Sequence, residues 1–287
     1  MASRSRMRTP ESSFRMPMSS PLGSAESFES AAPITALLDS PPIRELFGEP
    51  AECRLDFFCS PQENMARDWQ RTLECLRSPD TPPLLRLYGW KPWAVSLGMY
   101  QSAALLNQER CRERGIAIVQ RPTGGRALLH AEELTYAVVV RLSSERTPRQ
   151  IYRLVHERIA QALEGLCGVR LELAPAPPLM ERPPAAVCFS SSARMELLAS
   201  GRKLVGSAQR ILGNVLLQHG SILLGDAHVL LAELVDLPDE AAREHLRRQL
   251  RERSTSLAQL CARPISWWEC ALAVWESFCG VPIPGTH

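Results

Sequence analysis

An amphipathic helix that begins after Ser60 is the first strongly patterned segment of the chain. Ser60, Pro61 and Glu63 supply a capping hydroxyl, a proline at the first helical position and a carboxylate at the third, which predicts a helix start with a capping box. The apolar positions that follow recur at helical spacing: Met65, Trp69, Leu73 and Leu76. We therefore expect a helix that buries this stripe.

Downstream, apolar segments of strand length alternate with helical ones. The pattern predicts strands at 84–90, 93–98, 116–120 and 133–142, and helices at 103–114 and 147–167. After a proline-rich link at 174–185, turns at Gly201 and Gly213 separate short strands at 186–191, 194–199, 203–211 and 215–224. The pattern then becomes helical, near 227–234, 238–252, 255–262 and 265–279. This order predicts an α+β fold of mixed sheets with helices on their outer faces.

The first 50 residues lack any periodicity and are rich in Ser, Pro and Met. A disordered N-terminal extension is expected over 1–50, the main domain over 51–225, and a helical C-terminal part packed on it over 226–287. The beginning of the extension is rich in Arg and Ser, which faintly echoes an organelle transit peptide. A flexible tail or a start codon placed too early explains it equally well.

Composition excludes several classes of protein. The 33 basic and 31 acidic residues leave a net charge of +2, too small for a surface that binds nucleic acid, and no apolar run approaches the roughly 20 residues of a membrane span. The basic helix at 244–253 alternates its charges and reads as a solvated surface. Nine cysteines without a C-x-x-C pair suggest neither a metal site nor a disulfide framework. A cytoplasmic protein without metal is expected.

Two features carry candidate chemistry. The segment 121–126, Arg-Pro-Thr-Gly-Gly-Arg, is a basic glycine-rich turn whose backbone N–H groups can approach an oxygen-rich ligand, although these residues alone favour an ordinary tight turn. Of the 33 basic residues only Lys91 and Lys203 are lysines. A lysine kept at position 203 suits a site that needs a compact point donor. A solvated lysine beside the turn at Gly201 is the alternative, and Lys91 is expected to be an ordinary surface residue.

Four blocks resemble one enzyme family in their order and spacing: 88–101, 121–136, 201–210 and 217–224. They are similar to the lipoate-ligase and octanoyltransferase branch of the biotin/lipoate protein-ligase superfamily, and residues 60–69 resemble that family's first helix. The resemblance implies a biotin/lipoate protein ligase-like fold, with two sheets, outer helices and a tunnel for an acyl chain. It also implies that 51–225 is a catalytic domain.

Three departures point to one branch of the family. ATP-dependent lipoate ligases usually have a third glycine where this chain has Arg126, and a tyrosine where it has Gln209. The segment 186–197 resembles the part of cysteine-dependent octanoyltransferases in which a Cys-Phe pair carries the nucleophile. The resemblance thus implies that Cys188 is the nucleophile and that Lys203 contacts the acyl carbonyl. Taken alone, Cys188 would more often be a small buried apolar residue.

The remaining motif residues are assigned to substrate binding by the same resemblance. Those expected to line the acyl or carrier-arm pocket are Arg121, Thr123, Gly124, Gly125 and Arg126. Gly206 and Ser207 are expected to lie along the acyl chain. His130 and His219 could orient the acceptor amine, although a single histidine on a strand is more often a hydrogen-bonded structural residue.

The implied reaction is transfer of an octanoyl group from octanoyl-acyl carrier protein to a lysine of a lipoyl-domain protein, such as the glycine-cleavage H protein. A thioester donor is already activated, so no cofactor and no ATP are expected. An ATP-dependent lipoate ligase and an amidotransferase between lipoyl domains remain alternatives. A non-catalytic relative that binds acylated carriers is a further one, but the presence of Cys188, Lys203 and the glycine-rich turn speaks against it.

Overall fold

A computed structural model of the protein describes residues 32–174 and 196–284. The strands in these residues are β1 Ile34–Leu38, β2 Ala51–Cys59, β3 Leu84–Trp90, β4 Ala94–Leu97, β5 Ala117–Gln120, β6 Leu128–His130, β7 Glu133–Arg141, β8 Glu172–Leu173, β9 Leu197–Ala199, β10 Arg202–Leu212 and β11 Val215–Leu223. The helices are α1 Pro41–Phe47, α2 Pro61–Arg77, α3 Gln108–Glu113, α4 Pro148–Cys167, α5 Leu231–Leu234, α6 Glu240–Arg253, α7 Leu257–Cys261 and α8 Trp267–Cys279. Short 3-10 turns lie at Ala103–Leu105 and Ala227–Leu230.

The strands form two mixed sheets. In the larger sheet the order is β1-β2-β3-β7-β11-β10-β9-β8, with β2 and β3 parallel and the other neighbours antiparallel. In the smaller sheet the order is β5-β4-β6, and β4 runs parallel to β5 and antiparallel to β6. The predicted α+β class with mixed sheets is confirmed. The predicted acyl tunnel stays a prediction.

One face of the larger sheet, here called the outer face, packs against α1, α4 and α8. Alternate residues of a strand point to the same side, and this side carries the main hydrophobic core. Its buried members include Leu85 and Leu87 of β3, Val138 of β7, Val155 and Ile159 of α4, and Trp275 and Phe278 of α8. The C-terminal helix α8 therefore belongs to the same core as the central strands.

The opposite face of the larger sheet, here called the inner face, meets α2 and the smaller sheet. Tyr88 and Trp90 of β3 pack there with Met65 of α2 and with Ala94 and Val119 of the smaller sheet. The far side of the smaller sheet is covered by α5 and α6, whose contacts include Leu231, Leu234 and Leu250. The inner face is thus enclosed between two sheets, and most residues of the candidate site lie on it.

Residues 34–47 are ordered, so the expected disorder of residues 1–50 is wrong for this segment. β1 pairs antiparallel with β2 from Ile34–Leu55 to Leu38–Ala51, and α1 buries three residues in the main core: Ile43, Leu46 and Phe47. Neither element is long enough to show a clear period in the sequence. Both are stabilised by the surfaces that they contact rather than by local preference.

Two local predictions also need correction. The expected helix over 103–114 is broken, because the Asn107 side chain caps a new helix by accepting from the N–H of Arg110 at 3.0 Å. Only half of the capping box at α2 forms. The Ser60 hydroxyl accepts from the N–H of Glu63 at 3.3 Å, whereas the Glu63 carboxylate pairs with Arg67 one turn further along.

Candidate active site

The glycine-rich turn, residues 121–126, is shaped by its own first side chain. The Arg121 guanidinium donates to the carbonyl oxygens of Gly124 at 3.0 Å and Arg126 at 2.7 Å. It also donates to the backbone and side-chain oxygens of Ser96, both at 3.0 Å. Through these hydrogen bonds Arg121 stabilises the turn and ties it to the adjoining strand β4. The expectation that it binds substrate is untested by them.

Glycine is required at some positions of this turn and not at others. Gly125 has φ +98, and a Cβ there would lie 2.7 Å from the Arg121 guanidinium. At Gly98, on the loop facing the turn, a Cβ would lie 2.1 Å from the carbonyl oxygen of Gly125. A Cβ on Gly124 would instead meet no heavy atom within 4 Å. The turn is therefore tightly packed at Gly125 and opens onto space at Gly124.

Thr123 of the turn is linked to helix α2 through His219. The Thr123 hydroxyl lies 2.6 Å from Nε2 of His219, and Nδ1 of His219 lies 3.2 Å from the Asp68 carboxylate. All three side chains are buried. The result is a carboxylate–imidazole–hydroxyl chain that joins α2, β11 and the turn.

Asp68 remains ionised in this buried position because several donors surround it. Arg86 and the Tyr88 hydroxyl donate to its two oxygens, each at 2.8 Å. Burial alone would raise the pKa of Asp68, but the hydrogen bond from His219 and the charge of Arg86 hold it below its usual value. Burial also lowers the pKa of His219, against the opposing effect of Asp68. His219 is therefore neutral near pH 7.

His130, the last residue of β6 in the smaller sheet, is held in the same manner. Its Nδ1 lies 2.6 Å from the Glu133 carboxylate and its Nε2 lies 2.7 Å from the Ser96 hydroxyl. The Trp90 ring stacks on the imidazole with the ring centroids 3.9 Å apart. The same Glu133 oxygen accepts from the hydroxyls of Thr135 at 2.6 Å and Ser221 at 2.9 Å. His130 is thus fixed in position and orientation.

Lys203 is buried and paired, which rules out the alternative of a solvated lysine beside a turn. Its side chain is 5% exposed, and its Nζ donates to the Glu196 carboxylate, which is 3% exposed. A buried lysine is found in proteins almost only when it has such a partner. The register between β10 and β9 shifts between Lys203 and Val205, and bulges of this kind re-aim a side chain.

The structure separates Ser207 from the other site candidates. On β10 and β11, Ala208 lies opposite His219 and Ser207 lies opposite Gly220, so the Ser207 side chain points to the outer face. Its hydroxyl lies 2.6 Å from the Tyr136 hydroxyl and 3.0 Å from Nε2 of His156 on α4. The hydroxyl of Ser207 therefore makes its contacts on the outer face, whereas His219 lies on the inner face. That Ser207 lies along the acyl chain stays a prediction. Gly206 lies opposite Ser221 and so shares the inner face with His219.

Cys188 lies outside the described residues. Five of the cysteines in the described residues have a thiol pKa that burial raises: Cys59, Cys75, Cys111, Cys261 and Cys270. None of these five is activated as a thiolate nucleophile would be.

Among residues 32–174 and 196–284, no three His, Cys, Asp or Glu side chains are grouped to hold a metal ion. No helix in those ranges is both long and apolar enough to cross a membrane.

Sequence reasoning missed five residues that position the predicted ones, and one of them is Glu196, the partner of Lys203. Asp68 and Glu133 are the carboxylates behind the two histidines, Ser96 is the second hydroxyl, and Trp90 stacks on His130. Asp68 lies inside the block that resembles the family's first helix, and Glu133 lies inside the block that follows the glycine-rich turn. Both blocks were recognised, but a buried carboxylate gives no sign in sequence of its partner.

A family model for the lipoyl protein ligase A/B catalytic domain matches residues 60–279. This chain belongs to that family. Among its curated relatives, octanoyltransferase LipM of Lysinibacillus sphaericus is 36% identical over 77% of this chain and 82% of that protein. Octanoyltransferase LipM of Bacillus subtilis is 34% identical over 76% and 81%. The predicted family and the predicted octanoyltransferase activity are confirmed.

Solved structures agree on the fold. A bipartite lipoate protein ligase from Thermoplasma acidophilum superimposes with a TM-score of 0.61 at 20% identity, over 78% of this chain and 80% of that one. Lipoate-protein ligase A bound with ATP gives a TM-score of 0.58 at 19% identity, over 77% and 81%. At 19–20% sequence identity this similarity establishes the shared fold but not the reaction.

Proposed function

We infer that this octanoyltransferase takes an octanoyl group from octanoyl-acyl carrier protein and delivers it to a lysine of a lipoyl-domain protein, such as the glycine-cleavage H protein, through a thioester on Cys188. The observation that carries the inference is the buried Lys203–Glu196 pair. In a chain with only two lysines, one is held out of water on a bulged strand. Such a lysine is a prepared donor for an oxygen that becomes negative during reaction.

The first half-reaction exchanges one thioester for another. The Cys188 thiolate attacks the octanoyl carbonyl of the carrier's thioester, and a tetrahedral oxyanion forms. The carbon–sulfur bond to the carrier then breaks, and the carrier leaves as a thiolate. The Lys203 ammonium stabilises the oxyanion as a compact point donor, and Glu196 keeps that ammonium in place.

The second half-reaction forms the amide. The neutral amine of the acceptor lysine attacks the Cys188 thioester, passes through a second oxyanion at the same position, and expels the Cys188 thiolate as it loses a proton. A covalent intermediate allows two different proteins, the carrier and the lipoyl domain, to use one site in turn. Because both bonds broken are thioesters, the reaction consumes no nucleotide.

We propose that the acyl chain inserts between the two sheets. The inner face offers apolar surface from Tyr88, Trp90 and Ala137 against Ala94 and Val119 of the smaller sheet. The glycine-rich turn directly follows β5, the strand that contains Val119, and a Cβ on Gly124 would meet no heavy atom within 4 Å. Thr123, Gly124, Gly125 and Arg126 remain the proposed lining for the acyl group or the carrier arm.

Two related reactions compete with this proposal. A ligase would join free octanoate or lipoate to the lysine and would need ATP to form an acyl-adenylate. An amidotransferase would take the acyl group from an already acylated lipoyl domain. The glycine-rich turn lacks the third glycine that is usual in ligases, since Arg126 stands there, which favours a transferase.

The test offers each donor separately to the full-length protein together with an unacylated lipoyl-domain acceptor, which is apo H protein for the first two donors. The donors are octanoyl-acyl carrier protein without ATP, free octanoate with Mg-ATP, and octanoyl-H protein presented to a different lipoyl domain. Intact-protein mass spectrometry follows the acceptor. We expect modification with the first donor. Modification only with the second or only with the third would replace the proposal by the ligase or the amidotransferase.

A further inference from the structure

We propose that Asp68 and Glu133 are positioning residues for the transfer: each fixes the tautomer of one histidine, and the two histidines together hold the glycine-rich turn. This rests on the proposed function, in which that turn adjoins the reacting acyl group. Neither carboxylate belongs to the turn. Asp68 comes from α2, and Glu133 is the first residue of β7.

The first chain has only one consistent arrangement of protons when His219 is neutral. Asp68 is an ionised acceptor, so Nδ1 of His219 must carry the proton that it donates across 3.2 Å. Nε2 is then a bare acceptor, and the Thr123 hydroxyl must donate to it across 2.6 Å. The lone pairs of the Thr123 oxygen thereby face away from His219. Asp68 thus determines which way the Thr123 hydroxyl points, although the two side chains do not touch.

The second chain repeats this logic with different residues. In the tautomer of His130 that donates its Nδ1 proton to Glu133, Nε2 accepts from the Ser96 hydroxyl. The Ser96 oxygen in turn accepts from Arg121 at 3.0 Å. Arg121 is the side chain that gathers the carbonyl oxygens of the turn. This second chain therefore acts on the same segment from the side of β4.

The two chains meet the turn at different places, Thr123 and Arg121. Each begins at a buried carboxylate and ends at a hydroxyl, with a buried histidine between them. Two independent attachments fix a short loop far better than one, because each restrains a direction that the other leaves open. Hydrogen-bond partners behind a functional group commonly set its tautomer and orientation. The duplication is what marks the turn as a segment whose position matters.

Thr123→Val and Thr123→Ser provide the first test. Valine matches threonine in shape but lacks the hydroxyl, whereas serine retains it. We expect Thr123→Val to lose at least about tenfold in kcat for octanoyl transfer, because a catalytic element displaced by about 1 Å can cost on the order of 10²-fold. Thr123→Ser should lose less activity than Thr123→Val, because it retains the hydroxyl. Thr72→Val is the matched control, since the hydroxyl of Thr72, a buried threonine on α2, donates to the backbone carbonyl of Asp68 at 2.8 Å and not to the carboxylate that faces His219.

A second measurement reads the tautomer directly and does not depend on activity. Nitrogen-15 correlation spectra of the wild-type protein, with His219 assigned through His219→Gln, should show the proton on Nδ1. In Asp68→Asn the amide can turn its NH₂ toward His219, and the proton should then move to Nε2, as it does when a carboxylate behind a catalytic histidine is replaced by an amide. Arg86 keeps Asn64 as a partner at 2.6 Å in that variant.

Double variants show whether the two hydrogen-bond chains act independently. Asp68→Asn and Thr123→Val act through one histidine, so their losses of kcat should not add. Thr123→Val and Ser96→Ala act through different histidines, so their losses should multiply. Additive effects within the first chain, a proton on Nε2 in the wild-type protein, or a Thr123→Val enzyme as active as Thr72→Val would each overturn the inference. A wild-type protein that transfers no octanoyl group would instead refute the proposed function.

Discussion

Lys203 and Glu196 form an ion pair in which both side chains are almost completely buried, at 5% and 3% exposure. Lys203 lies on β10 and Glu196 lies just before β9. The register between these two strands shifts between Lys203 and Val205. Removing either charge would leave the other buried without this counter-charge, which is costly. The pair therefore holds a single ammonium in a defined place.

Lys203→Arg should lower octanoyl transfer on the order of 10²–10³-fold although it conserves the charge, since loss of one oxyanion donor costs that much. A planar guanidinium cannot replace a point donor in a closed site. The two half-reactions should be measured separately, as acyl-enzyme formation and as amide formation. Lys91→Arg is the control, because it makes the same change at the other lysine, which is exposed. Equal rates for the two variants would remove Lys203 from the reaction.

Cys188 should carry an octanoyl group when the donor is present and the acceptor is absent. Peptide mapping should then find a hydroxylamine-labile acyl group on residues 186–194. Cys188→Ser should turn over very slowly, because its alkoxide is far less accessible than a thiolate. Cys59→Ser is the control, since the buried environment raises the pKa of Cys59, and it should form the acyl-enzyme normally. An acyl group mapped to any other cysteine would contradict the assignment.

Two N-terminal deletions should behave differently. A chain that begins at Ala32 keeps β1 and α1, and it should melt and react like the full-length protein. A chain that begins at Ala51 loses Ile43, Leu46 and Phe47 from the core. Each such side chain contributes about 1.5–3 kcal/mol, so the free energy of unfolding should fall by roughly 5 kcal/mol or more. Urea unfolding measures both, and equal midpoints for the two chains would show that α1 adds nothing.

His156 should make the protein less stable in acid. Burial lowers the pKa of His156 to about 4 from the ordinary 6.5. Between these pH values the unfolded chain therefore binds a proton at His156 and the folded protein does not. The stabilising contribution is fully present above pH 6.5 and is lost as the pH falls toward 4, with a size on the order of 3 kcal/mol.

His156→Gln removes this titration and should reduce the slope of the unfolding free energy against pH between 6.5 and 4, to which the buried His219 and His228 still contribute. Urea unfolding at several pH values in that window, for wild type and variant, gives the two slopes. His245→Gln, at an exposed histidine on α6, should leave the slope as in the wild type. Parallel slopes for wild type and His156→Gln would show that His156 does not titrate as expected.

Much of the fold was predictable because its signals are local. The cap at Ser60, the extent of α2, and the strands β3, β7, β10 and β11 were all marked by residues within the element itself. The predicted buried stripe of α2 was wrong, because Leu76 is 41% exposed and the residues buried beside Met65 are Asn64, Asp68, Thr72 and Cys75. The family resemblance rested on short blocks that the structure places around the two sheets. The short elements that escaped prediction, β1, α1, β6 and β8, form only against a partner. The nine-residue strand β2 also escaped prediction, although its first residues alternate between apolar and charged.

The sequence by itself determined which residue types were available to the site: a rare lysine, a glycine-rich turn, two histidines and a cysteine in a family context. Tertiary structure alone decided how they meet. Asp68 and His219 are 151 residues apart in the chain, and no local pattern links them. Ser207 and His219 both fell within recognised motifs, yet they occupy opposite faces of the larger sheet. Strand register places them so, because neighbouring residues on a strand point to opposite sides and a shift of one residue would exchange them.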